Sequence, residues 1–150
     1  MLIAKGTFSQ VYLGKNIKDN NDYALKIEDI IKVGSYLKEE SYILVTLKGP
    51  GIPEVKGFGR IGKYNILVQN LLGKSIEKIW NEKGKKFNLK DTCMLAIQGL
   101  ERLEYIHSKN YLHRDIKPEN IMIDSETKAI IYLIDLALQK NIEVQELENI

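Results

Sequence analysis

The stretch that most constrains the fold is residues 111–124, where a dense set of polar side chains stands between two short apolar runs. Pro118 restricts the path of the loop that carries them. Within that loop Asp115 can accept a proton from a hydroxyl, Lys117 can bind a phosphate, and Asn120 offers an oxygen to a hard cation. One short loop therefore combines a base, a phosphate clamp and a metal ligand. Phosphoryl transfer requires such a set, because it depends mostly on positioning and on neutralising charge.

The composition predicts a soluble domain. The chain has 150 residues, of which 44% are hydrophobic and 28% are charged, enough for a core and for solubility. The formal net charge of +2 argues neither for nor against nucleic acid, and no apolar run is long enough to span a membrane. A single cysteine, Cys93, excludes an intrachain disulfide and fits a reducing compartment. We therefore expect a protein of the cytoplasm or nucleus, with neither nucleic acid nor a membrane as a partner.

The first part of the chain predicts an antiparallel sheet with one helix. Apolar alternation and turn residues predict two strands within 1–14, a third over 22–28, and a hairpin over 54–69. Residues 35–48 have the apolar spacing of a helix, and Ser35 is placed to cap it. In the third strand Lys26 shares a face with the small Ala24, which suits a flat, anionic ligand on that face.

The second part of the chain predicts two helices followed by a buried strand. Ser75 can cap a short helix over 76–80, and Asn88 can cap a long one over 89–107. The long helix has an apolar stripe that we expect to face the core, with its cysteine packed rather than reactive: Cys93, Ala96, Ile97, Leu100, Leu103 and Ile106. A mostly apolar strand over 129–134 is followed by Asp135, a charge that needs a partner or a metal ion there.

Three lysines form what we call the basic loop, which consists of Lys83, Lys85 and Lys86 around Gly84. Short basic runs are usually solvated surface, and this is the interpretation that we favour. The alternative is that the basic loop binds acidic or phosphorylated protein substrates.

Residues 113–120, His-Arg-Asp-Ile-Lys-Pro-Glu-Asn, resemble the catalytic loop of protein kinases. Further segments look like the casein kinase 1 family, and the vaccinia-related kinases are a near alternative: Gly-Pro-Gly-Ile-Pro at 49–53, Tyr-Asn-Ile-Leu-Val at 64–68, Leu-Leu-Gly-Lys-Ser-Ile-Glu at 71–77 and Glu-Tyr-Ile-His-Ser at 104–108. The resemblance implies an ATP-dependent serine/threonine kinase that transfers the γ-phosphate to protein hydroxyls, including acidic or already phosphorylated substrates. It implies nothing about the oligomeric state.

The resemblance also implies a role for each matched residue. Asp115 would be the catalytic base, Lys117 would hold the γ-phosphate, and Asn120 and Asp135 would bind Mg²⁺. Lys26 would hold the α- and β-phosphates of ATP, paired with an acid of the helix; counting back from residues 49–53 selects Glu39 over its neighbour Glu40. The remaining nucleotide contacts would be Gly6 in the phosphate loop, Gln69 as gatekeeper, and an adenine pocket made by Val11, Ala24, Leu72 and Met122.

The implied fold is α+β and protein kinase-like, with an antiparallel-sheet N-lobe over 1–69, a hinge at 70–73 and part of a mainly helical C-lobe over 74–150. The chain departs from the family pattern in the phosphate loop, where only Gly6 of the usual glycines is present, and at Leu136 and Ala137, which replace Phe and Gly. It also ends before an Ala-Pro-Glu segment. We therefore expect a truncated C-lobe, and the alternative function is an inactive truncated kinase or a nucleotide-binding pseudokinase.

Overall fold

The computed structural model of the protein describes residues 1–6 and 8–136. The described residues form two compact units: the first lies within residues 1–48 and 53–72, and the second within residues 49–52 and 73–136. After residues 53–72, the chain passes into the second unit between Leu72 and Gly73, inside the predicted hinge range. Residues 49–52, which lie in the predicted N-lobe range, pack in the second unit, where the Gly51 carbonyl accepts a hydrogen bond from the Leu133 amide at 2.9 Å. Ala137 and the predicted polar segment 138–150 lie outside the described residues.

The first unit contains a five-stranded antiparallel sheet in the order β1-β2-β3-β5-β4. Its strands are β1 (Leu2–Lys5), β2 (Gln10–Lys15), β3 (Asp22–Asp29), β4 (Val55–Ile61) and β5 (Tyr64–Asn70). The β4–β5 hairpin turns at Gly62, whose φ of 56° is a left-handed conformation that glycine adopts without a Cβ clash. The predicted α+β class with an antiparallel sheet is thereby confirmed.

Two helices follow β3 in the first unit. The short α1 (Ile30–Val33), which the sequence did not predict, is capped by the Asp29 side chain. The longer α2 (Tyr36–Thr46) packs against β3, β4 and β5. Its buried residues recur at the three- and four-residue spacing of one helix face: Leu37, Glu40, Ser41, Ile43 and Leu44. Burying each of these leucines contributes about 1.5–3 kcal/mol to folding.

The cap of α2 differs from the prediction. The Ser35 side chain makes no capping hydrogen bond, although its residue precedes the helix. Instead, the Glu28 carboxylate on β3 accepts a hydrogen bond from the Leu37 amide at 2.9 Å. Ser35 has a ψ of 47° instead of the extended backbone of a capping residue, and its Oγ accepts from Asn65 Nδ2 at 3.1 Å.

The second unit is built on two helices and a two-stranded antiparallel sheet. The helices are α3 (Ile76–Glu82) and α4 (Leu89–Ser108), and the strands are β6 (Ile121–Ile123) and β7 (Ile131–Leu133). Both predicted caps are confirmed: Ser75 Oγ accepts from the Lys78 amide at 3.2 Å, and Asn88 Oδ1 accepts from the Asp91 amide at 2.7 Å. Among the described residues, no helix is long and apolar enough to cross a membrane.

The apolar stripe of α4 does not face a core in the described part of the chain, contrary to the prediction. Cys93 is exposed, and the side chains of Ile97 and Leu100 are 59% and 68% exposed. The helix meets β7 through a different face, where the Gln98 side chain bonds to the Ile131 amide at 3.0 Å and to the Ala129 carbonyl at 2.8 Å. This polar link joins α4 to the β7 region, and of the predicted stripe only Ile106 is buried.

Candidate active site

The loop before β6 holds its polar side chains in a compact backbone arrangement. Pro118 starts a 3-10 turn over Pro118–Asn120, where its missing amide hydrogen costs no hydrogen bond. Arg114 has a φ of 64°, which turns the chain sharply just before Asp115. The Asn120 carbonyl then accepts from the Ile134 amide at 3.0 Å, tying the end of the loop to the segment that follows β7.

The Asp115 carboxylate is the centre of this loop. Its Oδ2 accepts hydrogen bonds from Lys117 Nζ at 2.7 Å and from Asn120 Nδ2 at 2.9 Å. The Lys117 ammonium, followed by the smaller effect of Asn120, holds the pKa of Asp115 below its usual 3.8. The same contact raises the pKa of Lys117 above 10.5. At neutral pH the loop therefore presents an ionised acceptor and a cation side by side.

The amide of Asn120 is oriented by the same carboxylate. Its Nδ2 also donates to the Asp115 carbonyl at 3.0 Å, so both bonds use the nitrogen and leave Oδ1 as the acceptor available for a cation. None of the described residues donates a hydrogen bond to this Oδ1. An amide oxygen of this kind fits a Mg²⁺ ligand.

Asp135 lies close to this loop. It follows β7 with a φ of 61°, and its negative charge contributes to the raised pKa of Lys117. The described residues contain no group of three His, Cys, Asp or Glu side chains that could hold a metal ion by itself. Asn120 and Asp135 each carry a side-chain oxygen of the kind that coordinates Mg²⁺.

His113 is a structural member of the site to which the sequence assigned no role. The side chain is 1% exposed, and its Nε2 lies 3.0 Å from the Ile134 carbonyl. The Asp115 amide makes a long contact of 3.4 Å with Nδ1, which assigns the proton to Nε2. Burial lowers the pKa of His113 below 6.5, against the opposing effect of the Ile134 carbonyl. A neutral imidazole therefore joins the loop to the segment that delivers Asp135.

In the first unit, Lys26 on β3 is paired with an acid of α2, but not with the predicted one. Lys26 Nζ lies 2.7 Å from Glu40 Oε2 and 2.9 Å from Glu40 Oε1, whereas Glu39 is exposed. The prediction of Glu39 is wrong because adjacent helix residues point about 100° apart. The signal that identifies Glu40 was in the sequence: it lies three residues after Leu37 and four before Leu44, on the buried face of α2.

The predicted nucleotide contacts of the first unit share one face of the sheet. Val11 is paired directly with Lys26, and Ala24, two residues before Lys26, is paired with Gln69. Opposite residues of antiparallel strands project to the same side, so these four side chains form a continuous surface. Gly6 lies in the β1–β2 turn, where its amide donates to the Ser9 carbonyl at 2.9 Å.

The other two predicted adenine contacts fall in different units. Leu72 is half-buried at the end of the first unit. Met122 lies in β6 of the second unit, where it is paired with Tyr132. The structure thus places Met122 two residues after Asn120, beside the polar loop.

The basic loop is largely engaged within the second unit. Lys83 Nζ lies 2.6 Å from Asp91 Oδ2, and Lys85 Nζ stands 5.9 Å from the centre of the Trp80 ring. Two of its three lysines therefore have intramolecular contacts. All three lysines are exposed, and their role remains a prediction.

Comparison with protein families gives one match that spans the chain. Residues 1–149 match the family described as Protein kinase domain. The match includes the polar loop of the second unit and the Lys26–Glu40 pair of the first.

Proposed function

The chain belongs to the protein kinase domain family, and from this premise we propose that it is a serine/threonine kinase of the casein kinase 1 type. A protein kinase is a transferase that uses ATP and a divalent metal ion, and its substrates are proteins. The observation that carries the proposal is the contact of Asp115 with both Lys117 and Asn120 on one loop.

Asp115 would orient the acceptor hydroxyl and take its proton. Its lowered pKa keeps the carboxylate ionised at neutral pH, as a base requires. Lys117, 45% exposed in its side chain, can leave Asp115 to contact the γ-phosphate, where its charge would stabilise the transferring group. Asn120 and Asp135 would hold Mg²⁺, which neutralises phosphate charge when it is bound.

Lys26 would bind the α- and β-phosphates of ATP. Glu40 supports this role, because its carboxylate holds the ammonium on the face of the sheet that also carries Val11 and Ala24. Both side chains are largely buried, at 15% and 5% exposure, so the pair restricts the lysine to one position. A lysine held in this way needs little rearrangement when phosphate arrives.

Two sequence features support the finer assignment. The lysine two residues after the base favours serine and threonine over tyrosine as acceptors. The segments at 49–53, 64–68, 71–77 and 104–108 favour the casein kinase 1 type, with the vaccinia-related kinases as the near alternative. A preference for acidic or already phosphorylated substrates follows from the same likeness.

The test is phosphate transfer from MgATP to three peptides that differ only in a central serine, threonine or tyrosine, each with and without acidic flanks. We expect transfer to serine and threonine but not tyrosine, and faster transfer when the flanks are acidic. Transfer to tyrosine alone would contradict the proposed specificity. Binding of MgATP without transfer to any hydroxyl would instead favour the nucleotide-binding alternative.

A further inference from the structure

A buried carboxylate in the first unit has no part in the chemistry described so far. Glu28 on β3 is 1% exposed and lies two residues from Lys26, on the same face of the strand. Its Oε2 accepts from the Leu37 amide at 2.9 Å, and its Oε1 accepts from Asn65 Nδ2 at 2.8 Å. A buried charge is tolerated only when hydrogen bonds replace its lost hydration. Both oxygens of the Glu28 carboxylate are therefore held by hydrogen bonds within the first unit.

Asn65 completes a small network around this carboxylate. It is 5% exposed and lies directly opposite Glu28 in the β3–β5 pairing. Its Nδ2 also donates to Ser35 Oγ at 3.1 Å, so the same amide group contacts β3 and the residue that precedes α2. We call Glu28, Asn65 and Ser35 the α2 clamp.

The α2 clamp fixes the first turn of the helix that carries Glu40. The Glu28 carboxylate satisfies a free amide at the helix N-terminus, where a negative charge also interacts favourably with the helix dipole. Leu37, the bonded residue, is three residues before Glu40. Strand β3 therefore contacts one turn of α2 twice, through Glu28 to the Leu37 amide and through Lys26 to the Glu40 carboxylate.

These two contacts have different consequences for the rotation of the helix. A carboxylate of Glu39 is only about 100° of rotation away from the position of Glu40, so the ion pair alone does not define which acid meets Lys26. The contact of Glu28 is to a backbone amide, which has a fixed place on the helix. We propose that Glu28 is a positioning residue, which holds α2 in the rotation that presents Glu40 to Lys26 and thereby prepares Lys26 for phosphate.

The functional part of this inference rests on the proposed role of Lys26 in binding ATP. The first experiment therefore measures the helix without nucleotide, by hydrogen exchange of the amides of residues 37–41. In Glu28→Gln, the new NH₂ group faces either the Leu37 amide, which is a second donor, or the Asn65 side chain, which can turn its oxygen to accept. In both cases the charge-assisted bond at the start of α2 is lost. We expect exchange of these amides to be at least about tenfold faster than in the wild type. The control is Asp19→Ala, which removes the hydrogen bonds that Asp19 in the β2–β3 turn accepts from Asn21 and Tyr23. This variant should leave exchange of the amides of residues 37–41 unchanged.

A second variant restores the network with its polarity reversed. In Glu28→Gln combined with Asn65→Asp, the new amide can donate to the new carboxylate and still accept from the Leu37 amide, while the Ser35 hydroxyl donates in place of accepting. We expect exchange in residues 37–41 to return to within about threefold of the wild type. If the single variant does not fold, Ser35→Ala removes only one bond of the clamp, and a smaller acceleration at the same amides is expected.

MgATP affinity separates positioning from a general loss of stability. Glu28→Gln should weaken binding about tenfold, and the added substitution Lys26→Met should then cost little more, because Lys26 is already displaced. If the losses of MgATP affinity in Glu28→Gln and Lys26→Met simply add in the double variant, Glu28 does not position Lys26. Wild-type exchange rates and wild-type affinity in Glu28→Gln would also overturn the positioning role. If wild-type protein does not bind MgATP, the proposed function fails, while the exchange measurements still decide whether Glu28 holds the helix.

Discussion

At the scale of single residues, Glu39 and Glu40 offer the sharpest comparison, because they are chemically identical neighbours of which only Glu40 contacts Lys26. Replacing Glu40 by Gln removes one partner of a charge-assisted contact worth about 1.5–3 kcal/mol. We therefore expect Glu40→Gln to weaken MgATP binding about tenfold or more in calorimetry. The matched control Glu39→Gln should stay within about twofold of the wild type. Equal losses in the two variants would show that the pairing does not position Lys26.

His113 predicts a pH dependence of stability whose sign follows from its burial. Burial lowers the pKa of His113 in the folded state, while the unfolded chain retains a value near 6.5. Below pH 6.5 the unfolded state therefore binds more protons, so stability is fully present above this pH and falls as the pH is lowered towards the folded pKa. The slope is at most about 1.4 kcal/mol per pH unit for one group.

Denaturant melts between pH 7.5 and pH 5 test this expectation. The second unit of the wild type should lose stability over this range, and His113→Gln should show a flatter profile even though its stability is lower throughout. Carboxylates contribute little here, because their usual pKa values lie near 4. Identical slopes in wild type and variant would mean that His113 is not the group responsible.

The polar loop was predictable residue by residue, whereas the contacts of Glu28 were not. Asp115, Lys117 and Asn120 lie within six residues, so local sequence is enough to bring them together. Glu28 bonds to Asn65, 37 residues away, and nothing in the spacing of either residue indicates that contact. Glu40 is an intermediate case. The apolar spacing of α2 places it on the buried face, but the count back from residues 49–53 selected Glu39 instead.

At the scale of secondary-structure elements, the N-cap of α4 gives a direct test of local sequence rules. Asn88→Ala removes the acceptor of the Asp91 amide and should destabilise the second unit by about 1 kcal/mol in thermal or denaturant melts. The matched control is Asn81→Ala on the exposed surface of α3, where alanine is the better helix former and a gain of a few tenths of a kcal/mol is expected. A loss of similar size in both variants would argue against the cap.

Elements were predicted well where their stabilising contacts are local. Ser75 and Asn88 cap their helices as expected, because each bonds an amide three residues along the chain. The cap of α2 was missed because its acceptor comes from β3. Periodicity identified the apolar stripe of α4, but it does not show the bonds of Gln98 to Ala129 and Ile131, which lie 31 and 33 residues away.

At the scale of the whole molecule, Gly51 tests the assignment of residues 49–52 to the second unit. Its φ is 73°, and a Cβ there would overlap the Arg102 side chain and lie 2.8 Å from the Ile131 carbonyl. Gly51→Ala should therefore destabilise the second unit by more than the roughly 1–2 kcal/mol that the backbone conformation alone costs. Gly84→Ala is the control, because it has a φ of 68° but open space around the new Cβ. Equal losses would show that the close packing around Gly51 is not as described.

The central claim is that Asp115 serves the transfer of phosphate rather than the binding of nucleotide. The direct measurement compares wild type with Asp115→Asn, following MgATP affinity by calorimetry and transfer of labelled γ-phosphate to a serine peptide. Asparagine keeps the size of the side chain but cannot accept the proton. We expect affinity within about threefold of the wild type and transfer reduced by about 10²-fold or more. Equal transfer rates in the two proteins would contradict the assignment of Asp115 as the base, and with it the function proposed for the loop.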